Sequence, residues 1–121
     1  MAVHQGSCHC GAVTFCVNLE IEQLTNCDCS ICTKKGVVHI RVQDDQFELL
    51  SGEKALTLYQ WKSNTASHWF CKHCGIHAFG RPRFDPSRYT VNARCLDDYD
   101  HIIAHTPVRQ FDGKHHPMDQ G

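Results

Sequence analysis

Seven of the nine cysteines fall in three tight clusters, Cys8-His9-Cys10, Cys27-Asp28-Cys29-Ser30-Ile31-Cys32 and Cys71-Lys72-His73-Cys74. Thiols one and two residues apart point at a common centre, and zinc is the ion such sets most readily hold. A closed structural zinc takes four protein ligands, whereas a reactive one takes three and keeps a position for substrate. Two pairs close one site; the remaining three cysteines leave another one ligand short. The expectation is a fold stitched by metal, with two zinc ions per chain. An odd cysteine count and no export-like start read as metal ligation in a reducing cytoplasm rather than a disulfide framework.

The following residues indicate which clusters pair. Cys10 precedes Gly11 and Cys74 precedes Gly75, whereas Cys32 precedes Thr33. A knuckle offering two thiolates to one ion turns sharply, and positive φ after its second cysteine suits glycine. Cys8, Cys10, Cys71 and Cys74 are therefore read as the structural zinc site, and Cys27, Cys29 and Cys32 as the open one. The pairing of Cys8 and Cys10 with the middle cluster stays open at this point. So do a fourth ligand for the triad, from Cys16, Cys95 or a histidine, and an iron–sulfur cluster. Three thiolates on a dication leave one vacant corner, where an incoming thiol would be deprotonated beside an electrophile. That favours forming or cleaving a carbon–sulfur bond.

A chain of 121 residues with formal charge −1 reads as a single domain spanning 1–121. The neutral balance argues against a nucleic-acid backbone as partner, and there is no apolar run for a membrane span. Alternating residues predict strands at 12–18, 38–42, 47–50, 56–61, 68–70, 89–95 and 108–111. Helical periodicity is weak, with short turns around Ser30–Lys35 and Leu96–Ile103, and Pro82 and Pro86 mark a loop. The fold class is mostly β and mostly antiparallel.

With these residues in view, the chain resembles the family of glutathione-dependent formaldehyde-activating enzymes, which includes centromere protein V. The resemblance rests on Gly6-Ser7-Cys8-His9-Cys10-Gly11, Cys27-Asp28-Cys29-Ser30-Ile31-Cys32-Thr33-Lys34-Lys35-Gly36, Phe47 to Gly52, His68 to Gly75, Asn92-Ala93-Arg94-Cys95-Leu96-Asp97 and Phe111-Asp112-Gly113. It implies a complex β fold of stacked antiparallel sheets, like that of a zinc-binding chaperone of Rab GTPases. It also implies the same division of metals and a carbon–sulfur lyase acting on glutathione and formaldehyde. Asp28 stands where many relatives carry His or Asn, and Thr33 where the enzyme branch often has Arg.

Glutathione carries two carboxylates, so its pocket should offer cations. Lys34, Lys35, Arg81 and Arg94 are the candidates, with Arg83 near them. His39 and His68 are read as strand histidines satisfied by backbone, the alternative being donation to a metal-bound sulfur or a proton shuttle. Cys95 and the aromatic residues Trp61, Trp69 and Phe79 are read as core, and His115-His116 as an exposed tail. The rival to an enzyme is a protein-interaction module whose two metals are both structural.

Overall fold

The first cysteine pair is the bend between two short strands. A computed structural model describes residues 2–60, 66–82 and 85–113. Trp61, Arg83 and His115-His116 lie outside them. Strands β1 (Val3–Ser7) and β2 (Thr14–Asn18) run antiparallel, and β2 also pairs with β5 (Phe47–Ser51), giving a three-stranded sheet. The second sheet has seven strands in the order β10-β3-β4-β9-β8-β7-β6. These are β3 (Leu24–Cys27), β4 (His39–Val42), β6 (Leu56–Tyr59), β7 (Ser67–Cys71), β8 (His77–Arg81), β9 (Tyr89–Asn92) and β10 (Val108–Phe111). Helix α1 (Ser30–Lys35) follows β3, and α2 (Tyr99–His105) precedes β10. No helix among the described residues is long and apolar enough to cross a membrane.

The alternation in the sequence has a direct packing cause. Val13, Phe15 and Val17 are fully buried and project from one face of the small sheet, while Ile40, Val42 and Val91 project from the large one. Each such side chain contributes roughly 1.5–3 kcal/mol when removed from water. Phe47 joins the layers, its ring centroid 4.6 Å from that of Phe79 and 4.4 Å from that of Tyr89. The mostly β class with stacked sheets holds.

Two expectations need correction. The strand expected at 12–18 starts at Thr14, because Val13 donates its amide to the Cys8 sulfur at 3.3 Å and belongs to the knuckle. The strand expected at 89–95 ends at Asn92, whose side chain accepts the Arg94 amide at 3.1 Å and caps a 3₁₀ turn over Ala93–Cys95. The pairing is mostly antiparallel, as expected; β10 pairs with β3 in parallel register and sets Phe111 opposite Cys27. Strands β1, β3 and β8 go beyond the expectation; β8 is buried continuously over its first four residues and so does not alternate.

Candidate metal centres

Four thiols from two knuckles meet between the sheets. Cys8 and Cys10 come from the β1–β2 connection and Cys71 and Cys74 from the β7–β8 connection, and their sulfurs all lie within 4.8 Å of one another. Gly11 and Gly75 take φ of 82° and 77°, the conformation that the turn requires. The sulfurs of Cys8 and Cys10 are 3.6 Å apart and those of Cys10 and Cys71 are 3.7 Å apart. A tetrahedral zinc with bonds of about 2.3 Å sets its sulfurs about 3.8 Å apart, whereas a disulfide needs about 2.05 Å. The donor set therefore fits a metal. Backbone amides already face the sulfurs, His73 donating to Cys71 at 3.4 Å. The Cys10 amide holds the Cys74 thiol down to about 6.

The second set, Cys27, Cys29 and Cys32, runs from the end of β3 through the first turn of α1, and its three sulfurs also lie within 4.8 Å of one another. The Cys27 and Cys32 thiols both hydrogen-bond to Cys29 and hold it well below the usual thiol range, with further help from the amides of Cys32 and Ile31. Hydrogen bonds with Cys27 and then Cys29, together with burial, push Cys32 up. Negative charge is thus concentrated on clustered soft donors, the chemistry that suits zinc. Among the described residues no fourth His, Cys, Asp or Glu atom joins this set. Cys16 lies in the small sheet opposite Gln5 and Glu48. Cys95 is on the side of the four-cysteine set, its half-buried thiol pushed up to about 12 by burial and by Cys8 and Cys74.

The triad is walled by backbone. Gly113 is buried, and a Cβ added to it would lie 2.5 Å from the Cys27 sulfur and 2.7 Å from the Cys29 Cβ. Its amide donates to the Asp28 carboxylate at 2.8 Å, and the Asp28 amide donates to the Phe111 carbonyl at 3.3 Å. Thr33 donates its hydroxyl to the Asp28 carbonyl at 3.2 Å. Asp28 and Thr33 therefore both pin the cysteine turn.

His39 stands behind the triad on β4, its Nε2 3.2 Å from the Cys32 sulfur and its Nδ1 2.5 Å from the Thr90 hydroxyl. It meets a thiol and a side chain rather than backbone, contrary to the strand-histidine reading. Burial keeps its ring neutral, down to about 3. A Thr90 hydroxyl that donates to Nδ1 would turn Nε2–H to the sulfur, the arrangement that orients a metal ligand. His68 also meets a side chain, Lys35, at 2.9 Å.

The candidate cations divide. Lys34 is exposed, while Lys35 turns inward to His68 and His77. Arg81 is committed to the fold: it pairs with Asp44 at 2.9 Å, donates to the Pro86 carbonyl at 3.1 Å and lies 3.9 Å over the Tyr89 ring. Arg94 lies 5.5 Å over Tyr99 on the turn that follows β9. Arg41 on β4, not singled out from the sequence, is within electrostatic reach of Cys27 and Cys32; burial, and then Arg109, pull its guanidinium down. Both arginines lie over Phe111, at 5.1 and 6.0 Å. An arginine alternating within a strand gave no signal by itself, and neither did Thr90. The Phe-Asp-Gly run carried one that only the parallel pairing explains.

A crystal structure of a Rhodobacter sphaeroides protein is similar, with a TM-score of 0.77 and 34% sequence identity over 86% of this chain and 98% of that one. The glutathione-dependent formaldehyde-activating enzyme family matches residues 3–111, and with both cysteine sets in place within that span, the chain belongs to this family.

Proposed function

We propose that the chain is a zinc-dependent carbon–sulfur lyase-type enzyme, acting as one domain over 1–121 in a reducing cytoplasm. It joins a low-molecular-weight thiol, glutathione or one like it, to formaldehyde or a related carbonyl, or cleaves that adduct. Cys8, Cys10, Cys71 and Cys74 would hold a structural zinc that staples the two sheets. Cys27, Cys29 and Cys32 would hold the second. The observation that carries the reading is the convergence of three thiols with no fourth donor among the described residues.

A zinc ion in the triad supplies a Lewis-acid centre that favours the thiolate form of an incoming thiol. The chain's residues do the rest. His39, set by Thr90, steadies Cys32, and Gly113 and Asp28 hold the cysteine turn in register with β10. Arg41 and Arg109, both over Phe111, add positive charge on that side of the triad to the candidate cations for a substrate carboxylate. In the net reaction the thiol's proton leaves sulfur, the S–C bond forms, and the carbonyl oxygen gains a proton.

Replacing Cys29 by Ser tests the reading. Calorimetric binding of glutathione should vanish while the circular dichroism spectrum and the first zinc remain. Undiminished binding or turnover in that variant would overturn the mechanism and favour a module with two structural metals.

A further inference from the structure

Lys35 closes α1 three residues after Cys32, a spacing that puts two side chains on one helix face. It is within electrostatic reach of all three triad cysteines. Its Nζ lies 2.9 Å from His68 Nδ1 on β7 and 3.3 Å from His77 Nδ1 on β8. Both rings have a buried Nε2 with no partner among the described residues, and His77 is only 7% exposed. Two imidazoles are thus committed to one amine.

A lysine buried for its charge alone ordinarily faces a carboxylate. Ion pairs join His4 to Asp98, Arg81 to Asp44 and Arg88 to Asp85, and among the described residues none involves Lys35. Its neighbours are neutral rings, since burial holds His68 down to about 4 and His77 to about 2. Burial likewise pulls Lys35 down to about 8, against the opposing pull of the thiols. A desolvated lysine beside proton acceptors is the type of amine that attacks carbonyls.

We propose that Lys35 is a catalytic residue for the carbonyl partner: its amine captures the carbonyl carbon and presents it, as an iminium, to the thiol held at Cys27, Cys29 and Cys32. This role rests on the thiol–carbonyl reading above. The Nζ lone pair forms an N–C bond while the carbonyl π pair moves to oxygen. A proton passes from nitrogen, by way of a histidine Nδ1, to that oxygen, giving a carbinolamine. The proton given up by the incoming thiol joins the carbinolamine hydroxyl, which leaves as water, and the resulting iminium carries a positive charge that the anionic triad and the thiolate favour. The thiolate then forms the C–S bond and neutralises the nitrogen. Water displaces the amine, restoring Lys35 and releasing the S-hydroxyalkyl thiol, so the water lost earlier is returned.

The test uses the zinc-loaded full chain at neutral pH with formaldehyde and limiting cyanoborohydride, which reduces an iminium to a stable methylamine. Mass spectrometry then follows methylation lysine by lysine. Lys35 should be modified roughly tenfold faster than its exposed neighbour Lys34, because a downshifted amine carries far more neutral form even after allowance for its weaker basicity. Replacing His77 by Asn should slow Lys35 alone. Modification of Lys35 no faster than that of Lys34, Lys54 and Lys72 would overturn the proposal and leave Lys35 a fixed counter-charge. Glutathione binding, measured in parallel on untreated protein, separates the two readings. Fast Lys35 trapping without thiol binding upholds the amine and removes the thiol; thiol binding without trapping does the reverse.

Discussion

Gly113 lies so close to Cys27 that a single methyl group on it would stand 2.5 Å from the cysteine sulfur. The parallel pairing of β10 with β3 creates this contact, and the Asp28 carboxylate ties it down at 2.8 Å. Gly113→Ala should therefore displace Cys27 and loosen the triad metal by at least about tenfold, an effect of the size seen when support around a ligand is lost. The four-cysteine set should keep its metal. Zinc per chain after mild chelation, read beside the melting temperature, checks this; an unchanged triad zinc would show that β10 gives way freely.

The two cysteine sets should differ in what their loss does. Cys71→Ser opens the set that joins the sheets, where structural zinc is worth about 10–16 kcal/mol in small domains, so the variant should fail to fold cooperatively. Cys29→Ser should melt within a few degrees of the parent. Thermal unfolding followed by near-ultraviolet circular dichroism distinguishes them, and similar melting curves would contradict the division.

Thr90→Val tests the chain of contacts from Thr90 through His39 to Cys32. Losing the hydroxyl frees the ring to present the wrong tautomer to the sulfur. Such supporting partners typically change metal affinity by 10–100-fold, and the variant should lose triad zinc to a competing chelator correspondingly sooner. Equal competition curves would mean that His39 is held by packing alone.

Stability should fall in mild acid because of His68 and His77. Their rings are held down to about 4 and about 2, by burial and then by Lys35. Above about 6.5 they are neutral both folded and unfolded; below it the unfolded chain takes up protons that the folded rings refuse. Each ring can thus cost up to about 1.4 kcal/mol per pH unit between about 6.5 and its folded value, less for the more exposed His68. Acid also protonates the cysteines, so the readout is the difference between proteins. Urea unfolding of His77→Asn should show a shallower pH slope than the parent, and parallel slopes would sink the idea.

Arg81 and Arg41 should separate structure from recognition. Arg81→Ala removes an ion pair and a ring contact, costing about 1 kcal/mol of stability with little effect on thiol affinity. Arg41→Gln should weaken glutathione binding severalfold. The opposite pattern in calorimetry would restore Arg81 to the pocket.

Much of this was legible in the chain because short-range chemistry wrote it. The glycines after Cys10 and Cys74 marked the knuckles, and the apolar–polar alternation of the residues marked β2, β4 and β9. The less visible parts depend on distant pairing. Nothing near Gly113 says that β10 runs parallel to β3, and nothing near Lys35 says that β7 and β8 will supply His68 and His77. Arg81 looked like a pocket cation because its spacing to Asp44 and Tyr89 is long in sequence and short in space.

The central claim is that the triad holds a metal that accepts a thiol. Calorimetric titration of glutathione into chain carrying two zincs, and into the same chain after mild chelation has removed the weaker one, tests it most directly. One glutathione per chain should bind the first sample and none the second, with the fold intact in both. Equal binding to both samples, or a second zinc that leaves only on unfolding, would contradict it.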